Sequence, residues 1–292
     1  MVAAILLPGA VGCANGSAPA EPVGPVQPLS AAEQELLARG EERLVRHCMS
    51  RQGFVYHEVA PLPAENGEEH RVFPYVVDDV SWARKYGYGA VRSAQPGGQP
   101  PVPGPNEAYV NSLPPERQRV YTVTLQGQGG QLSVPLPHGA RISASDRGCL
   151  AEARRSLYGD LPRWFRAKNI AQRVAKFVQD EVRADARYQQ AVRDWAACIR
   201  RSGRDVADPK QLHKELAHRT RQLDKVAAKS LEVETAVAEA TCATSIGMTA
   251  IVGELEREHE PAVRATYQRE LTDFATLNQA ALPRAQELLT HP

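Results

Sequence analysis

The chain has 292 residues, enough for one large domain or two smaller ones. Hydrophobic residues make up 42% and charged residues 24%, and 35 Lys+Arg against 34 Asp+Glu leave a formal net charge of +1. That balance argues against a dedicated nucleic-acid binder, which carries a basic excess. With no run of about 18 apolar residues, the sequence has no ordinary transmembrane helix.

Residues 1–13 read as a signal peptide. Val2 to Gly12 is apolar apart from Pro8 and has the length of a signal-peptide core. Ala10-Val11-Gly12-Cys13 resembles a bacterial lipobox, in which small residues precede a lipidated Cys, with Ala10 standing where Leu is usual. Residues 14–29 follow as a Pro-rich tether. Pro19, Pro22, Pro25 and Pro28 recur at the period of a polyproline II helix, a stiff spacer suited to lifting a domain off a membrane surface.

Residues 30–160 are expected to form a helix plus an irregular lobe. Ser30 and Glu33 make a capping box for a helix over 29–53, with Leu36, Leu37, Leu44, Val45 and Cys48 on one face. The segment 54–145 is rich in Pro, Gly and aromatics, with short helical turns over 80–90 and 106–118. Gln95 to Pro105 contains five Pro and three Gly, which excludes regular structure there. Val120–Leu125 and Gln131–Leu136, flanking a Gly-rich turn, are expected to pair as a β-hairpin.

Residues 161–292 read as a long-helix bundle, so the fold class is mainly α with a smaller irregular lobe. Before it, Asp146 should cap a short helix ending at Gly159. Apolar residues stepping by threes and fours then predict one helix from Pro162 through Ile199, a second over 211–259 and a third from Pro261. The spacing favours a kink at Pro261 over a turn.

Five cysteines are an odd number for a secreted chain. Lipidation of Cys13 accounts for one and leaves Cys48, Cys149, Cys198 and Cys242. Cys48 and Cys198 share an ending of Cys, apolar, two polar residues, one more and Gly. Each is followed by a second Cys entering another helical stretch. Of three possible connectivities, this context favours Cys48–Cys149 and Cys198–Cys242. The second pair carries a geometric demand. A straight helix from 212 to 242 would run about 45 Å, so a short helix and a turn must intervene around 205–225.

No catalytic, metal or cofactor signature is present. His213 and His218 stand on different helix faces, and His57, His70 and His138 fall in the irregular segment. There is no HExxH, GxSxG, Ser-x-x-Lys or Walker-type loop. Tyr75, Asp78, Asp79, Trp82, Tyr86 and Tyr88, beside Glu68 and Glu69, form the candidate ligand groove. Rings stacked on a sugar between acid groups are the chemistry of carbohydrate sites, whereas the bland reading makes these aromatics the core of the irregular lobe. The cluster Arg154, Arg155, Arg163, Arg166, Lys168, Arg173 and Lys176 reads as a solvated helix face, or as a contact for anionic lipid or wall polymer.

The stretches Cys48 to Tyr56, Gly148 to Asp160 and Trp195 to Gly203 with the later Cys242 resemble a group of uncharacterised secreted or lipid-anchored proteins of Streptomyces-type actinobacteria. The scarcity of Lys, seven of the 35 basic residues, suits such GC-rich genomes. The resemblance implies an extracytoplasmic location on the outer face of the cell membrane and disulfide bonding, and it brings no catalytic residues. The expected function is a non-enzymatic envelope lipoprotein. Its expected partners are the membrane, through the lipid anchor, and an envelope protein or wall polymer, without nucleic acid. The alternative is a secreted hydrolase of cell-wall material built on residues 68–88.

Overall fold

The computed structural model describes residues 28–60, 67–89 and 103–290. The expected signal peptide, the lipidation site Cys13, nearly all of the tether and most of the Pro/Gly run at 95–105 lie outside the described residues. Twelve α-helices and one two-stranded antiparallel sheet are described, a mainly α fold with a short hairpin. The first four helices are α1 (Ala31–Arg51), α2 (Val80–Tyr86), α3 (Pro105–Ser112) and α4 (Pro115–Gln126). After the hairpin come α5 (Gly148–Tyr158), α6 (Leu161–Ala171), α7 (Val174–Ala184) and α8 (Ala186–Arg201). The last four are α9 (Pro209–Thr220), α10 (Lys225–Ser245), α11 (Met248–Thr266) and α12 (Gln268–Thr290). No single helix among the described residues is long and apolar enough to cross a membrane.

The capping box forms as expected: the Ser30 hydroxyl accepts the Glu33 backbone N–H, and the Glu33 carboxylate accepts the Ser30 N–H. Helix α1 buries Leu37, Val45, Cys48 and Met49 against α5 and α12. A side chain at Gly40 would bring its Cβ within 3.0 Å of the Ala285 Cβ, so the bare glycine is what lets α1 and α12 approach. One main core joins Leu37, Val76 and Leu132 to Trp164, Trp195, Leu255 and Ala285. Residues on both sides of position 160 therefore bury in the same interior.

Two disulfides staple this array. Cys48–Cys149 joins α1 to the start of α5 with Cα atoms 5.5 Å apart, and Cys198–Cys242 joins α8 to α10 at 5.6 Å. The geometric demand of the second pair is met as anticipated. α9 and a turn at residues 221–224 intervene before α10, which starts where the Asp224 carboxylate accepts the Val226 and Ala227 N–H groups.

Several expected elements are corrected. The expected hairpin of 120–125 with 131–136 does not form. Residues 120–125 belong to α4, and the hairpin pairs β1 (Leu132–Pro135) with β2 (Arg141–Ala144), Leu132 opposite Ala144, across Pro137–Gly139. The Val-Tyr-Thr-Val-Thr run has strand propensity, but Tyr121 packs edge-on to Phe54 at 5.4 Å in a small core around Cys48–Cys149 while Val120 and Val123 face solvent. That burial outweighs the weak propensity.

The helix expected over 162–199 is three helices. The break before α8 follows from Asp185, an extended residue whose carboxylate accepts the Arg187 N–H at 2.8 Å. The break at Gln172–Arg173 carries no Gly or Pro. The stretch 211–259 is likewise interrupted, at 221–224 and again at Gly247, where α10 and α11 meet at 67°. Pro261 lies inside α11, and the following break falls at Tyr267. Asp146 does not cap α5, whose N-cap position is held by Arg147.

The candidate ligand cleft

Residues 73–89 form a strap laid over α10 and α11. Side chains of the two helices hold it by its backbone. Glu239 accepts the Val77 N–H at 3.0 Å, Glu232 accepts the Tyr88 N–H at 2.9 Å, and Lys229 donates to the Tyr86 carbonyl at 2.9 Å. Thr249 donates to the Asp78 carboxylate at 2.5 Å and Thr244 to its carbonyl at 3.3 Å. An irregular segment needs such partners because its own backbone groups have no ladder.

The six candidate groove residues are therefore dispersed. Asp79 caps α2, accepting the Trp82 N–H at 2.9 Å, and pairs with Arg71 at 2.7 Å. Those two donors, the backbone one foremost, hold its carboxyl below the usual carboxylate range. Trp82 is buried and donates its indole N–H to the Glu68 carbonyl at 2.6 Å. Tyr86 is half-buried with its ring 5.5 Å from Trp82. The aromatics at 82 and 88 join Leu216, Ala236 and Ala240 in a core shared with α9 and α10. Tyr75 lines a cleft. Its hydroxyl donates to Glu256 at 2.9 Å, and its ring lies 5.6 Å from Tyr188 with the Arg183 guanidinium 4.9 Å above it. Burial, reinforced by the bond to Glu256, pushes the Tyr75 phenol well above its ordinary range.

That cleft, of about 860 Å³, opens between the strap, α7, α8 and α9 and falls in the size range of small-ligand sites. Phe73, Pro74, Tyr75, Tyr188 and Val192 supply apolar surface. Arg183, Arg193, Lys210, His213 and Lys214 supply positive or protonatable groups. Asp208 is the carboxylate in the lining, and its Oδ1 accepts the Gln211 N–H to cap α9. Pro209 follows as the first helical residue, where its missing N–H costs nothing.

Behind the cleft lies Glu239, fully buried on α10. Its Oε1 accepts the Val77 N–H, and its Oε2 accepts both the Tyr88 hydroxyl and His213 Nε2, the latter at 2.8 Å. No Lys or Arg reaches it among the described residues. With the Val77 N–H and the Tyr88 hydroxyl donating to its two oxygens, an ionised Glu239 takes its third bond from a ring proton on Nε2. Nδ1 makes no hydrogen bond among the described residues, and the ring, one-quarter exposed, lines the cleft. The Tyr88 ring meets the imidazole edge-on at 4.7 Å and fixes its plane.

The sequence reading singled out neither this dyad nor the cations around it. A signal exists for Glu239: it falls on the same face as Ala236 and Ala240 in the stretch Ala236-Val237-Ala238-Glu239-Ala240, an acid on a buried stripe. In the basic cluster over 154–176, Arg155, Arg163, Arg166 and Lys176 are exposed, and several members also make ion pairs. Arg154 pairs with Glu41 at 2.8 Å, Arg163 with Asp273 at 2.5 Å, Arg166 with Glu270 at 2.7 Å and Lys176 with Asp180. Lys168 lies over the Trp164 ring at 4.7 Å, and burial lowers its ammonium from the ordinary range. Among the described residues no three His, Cys, Asp or Glu side chains converge as a metal site requires.

No protein-family model matches the chain, and neither the curated proteins nor the solved structures contain a match to it.

Proposed function

We propose that the protein is a non-enzymatic cell-envelope protein, held at the outer face of the membrane by a lipidated Cys13, that takes a wall or surface ligand in the cleft beside Tyr75 and Tyr188. Two disulfides, closing 101 and 44 residues, suit an oxidising extracytoplasmic compartment. The lipobox-like Cys13, the Pro-rich spacer and the resemblance to secreted actinobacterial proteins support the anchor. The observation that carries binding over hydrolysis is the employment of the acids. A glycoside hydrolase needs two carboxylates opposed across a groove. Here Asp79 caps α2 and pairs with Arg71, Asp78 accepts Thr249, and Asp208 caps α9.

The test has two arms. Metabolic labelling with a fatty-acid analogue should mark the wild-type chain and not Cys13→Ala, which should leave the membrane fraction. Purified full-length protein should co-sediment with isolated wall material, and Arg193→Glu should abolish that retention. Release of reducing sugar or peptide from the wall material by wild-type protein would replace the binder with the hydrolase. Absence of both labelling and retention would remove the proposal.

A further inference from the structure

We infer that the cleft is a receptor for an organic anion, whose acid group is received by His213 as Glu239 holds the ring from behind. The inference deepens the reading of the cleft as a ligand site and rests on it.

Charge is the first argument. Arg183, Arg193, Lys210 and Lys214, with the protonatable His213, line the cleft against one carboxylate, Asp208. Arg193, Lys210 and Lys214 are exposed at the cleft and make no ion pair among the described residues. Arg193 donates only to Gln190 on its own helix. In a chain of formal net charge +1, three unspent cations at one cleft are a local excess, and such an excess in a concave site concentrates anions.

The second argument is the imidazole. With Nε2 committed to a buried carboxylate, Nδ1 is the atom left for a ligand. If it takes a proton, the ring becomes an imidazolium bridging two acids, Glu239 behind and the ligand in front, with a charge-assisted bond to each. Glu239 from α10 and Asp208 at the start of α9 favour that charge. Lys210 and Lys214 on α9 and Arg183 and Arg193 across the cleft oppose it, while Tyr88 and Tyr188 are neutral phenols. An anion among those cations removes their opposition. Its binding therefore takes up a proton, and by linkage its affinity falls as pH rises.

The apolar surface of Phe73, Tyr75, Tyr188 and Val192 calls for more than a bare inorganic ion. The acid group must sit on a ring-sized body with an apolar face.

Calorimetric titration of the full-length protein with a hexose phosphate, the free hexose and inorganic phosphate tests this. The expected result is saturable binding of the hexose phosphate, tighter than inorganic phosphate by about tenfold, with none for the free hexose. Lys210→Glu with Lys214→Glu should weaken it tenfold or more, each lost charge-assisted bond being worth about that factor. His213→Gln should leave weakened binding without the dependence on pH, and Glu239→Gln should reduce that dependence while Lys210 and Lys214 still act. Equal binding of free hexose, inorganic phosphate as tight as the hexose phosphate, or a wild-type affinity unchanged with pH would overturn the inference. Wall retention that is lost in Arg193→Glu, with no anion binding by calorimetry, would sink the inference and leave the binding function standing. Anion binding without wall retention would do the reverse.

Discussion

Where α1, α5, α6 and α12 meet, Glu41, Glu270 and Asp273 are each met by an arginine at 2.5–2.8 Å. Where the strap meets α9 and α10, Glu239 is more deeply buried and is served by a backbone N–H, a tyrosine and a histidine. The first arrangement holds helices in register with charges that stay fixed at all ordinary pH. The second leaves a carboxylate whose charged partner depends on a proton. A carboxylate buried without Lys or Arg is expensive as architecture, and that cost sets the cleft end apart from the ion-paired end.

Each end has one staple, and removing a staple separates the ends most sharply. Replacing Cys198 and Cys242 by Ala, which opens a loop of 44 residues, is expected to cost about 4 kcal/mol. Replacing Cys48 and Cys149, across 101 residues, should cost about 5 kcal/mol. Chemical denaturation measures the totals, and amide exchange locates them. Loss of protection should concentrate in α8–α10 and the strap for the first variant, and in α1, α4 and α5 for the second. Equal loosening throughout in both would mean that the two ends are one cooperative unit.

The same division governs what the sequence discloses. Periodicity marks the buried faces of α6, α7 and α8 correctly because a bend of the axis keeps the apolar stripe inward. It is blind to the breaks, since Gln172–Arg173 has no breaking residue and Asp185 reads equally well as a solvated acid. Pro261 misleads in the opposite sense, as a breaker that α11 absorbs. The Cys-to-Gly endings at 48 and 198 are legible because the helix stop is local chemistry: Gly53 and Gly203 both take φ near +80°, at 75° and 82°. The cleft is not legible. Tyr75, Tyr188 and His213 come from three segments, and nothing local to any of them reports that Glu239, on a fourth, stands behind the imidazole.

Substitution of the two kinds of acid sharpens the contrast next. Glu239→Leu should cost about 3 kcal/mol, because it strands the Val77 N–H, the Tyr88 hydroxyl and His213 Nε2 without an acceptor in the interior. Glu270→Leu should cost less than about 1 kcal/mol, because the freed Arg166, half-exposed, turns to water. Urea denaturation of both variants decides between them. Similar losses would show that Glu239 is one more structural acid, and its distinction from the ion-paired end would go.

The smallest expected effect lies at Asp185, between the two ends. Its carboxylate caps α8 and pairs with Arg187 at 3.0 Å and with His259 at 3.3 Å, while Arg187 also reaches Glu258 at 2.6 Å. The Arg187 guanidinium foremost, then the Arg187 backbone N–H, hold the Asp185 carboxyl far below the usual range, with His259 contributing less. A carboxyl depressed in the folded state stabilises it at pH above the unfolded value, about 3.9, and that contribution fades as pH falls below it. The thermal midpoint of the wild-type protein should therefore decline from about pH 4 downward, and Asp185→Asn should decline less steeply over the same interval. Above that interval the two curves should run parallel, because the Arg187 guanidinium keeps its charge. A wild-type midpoint that instead fell between about pH 5 and pH 8, with Asp185→Asn flat there, would make His259 the dominant partner. Asp185 would then belong with Glu239, as a carboxylate whose charged partner is conditional, and the proton-dependent chemistry would extend beyond the cleft.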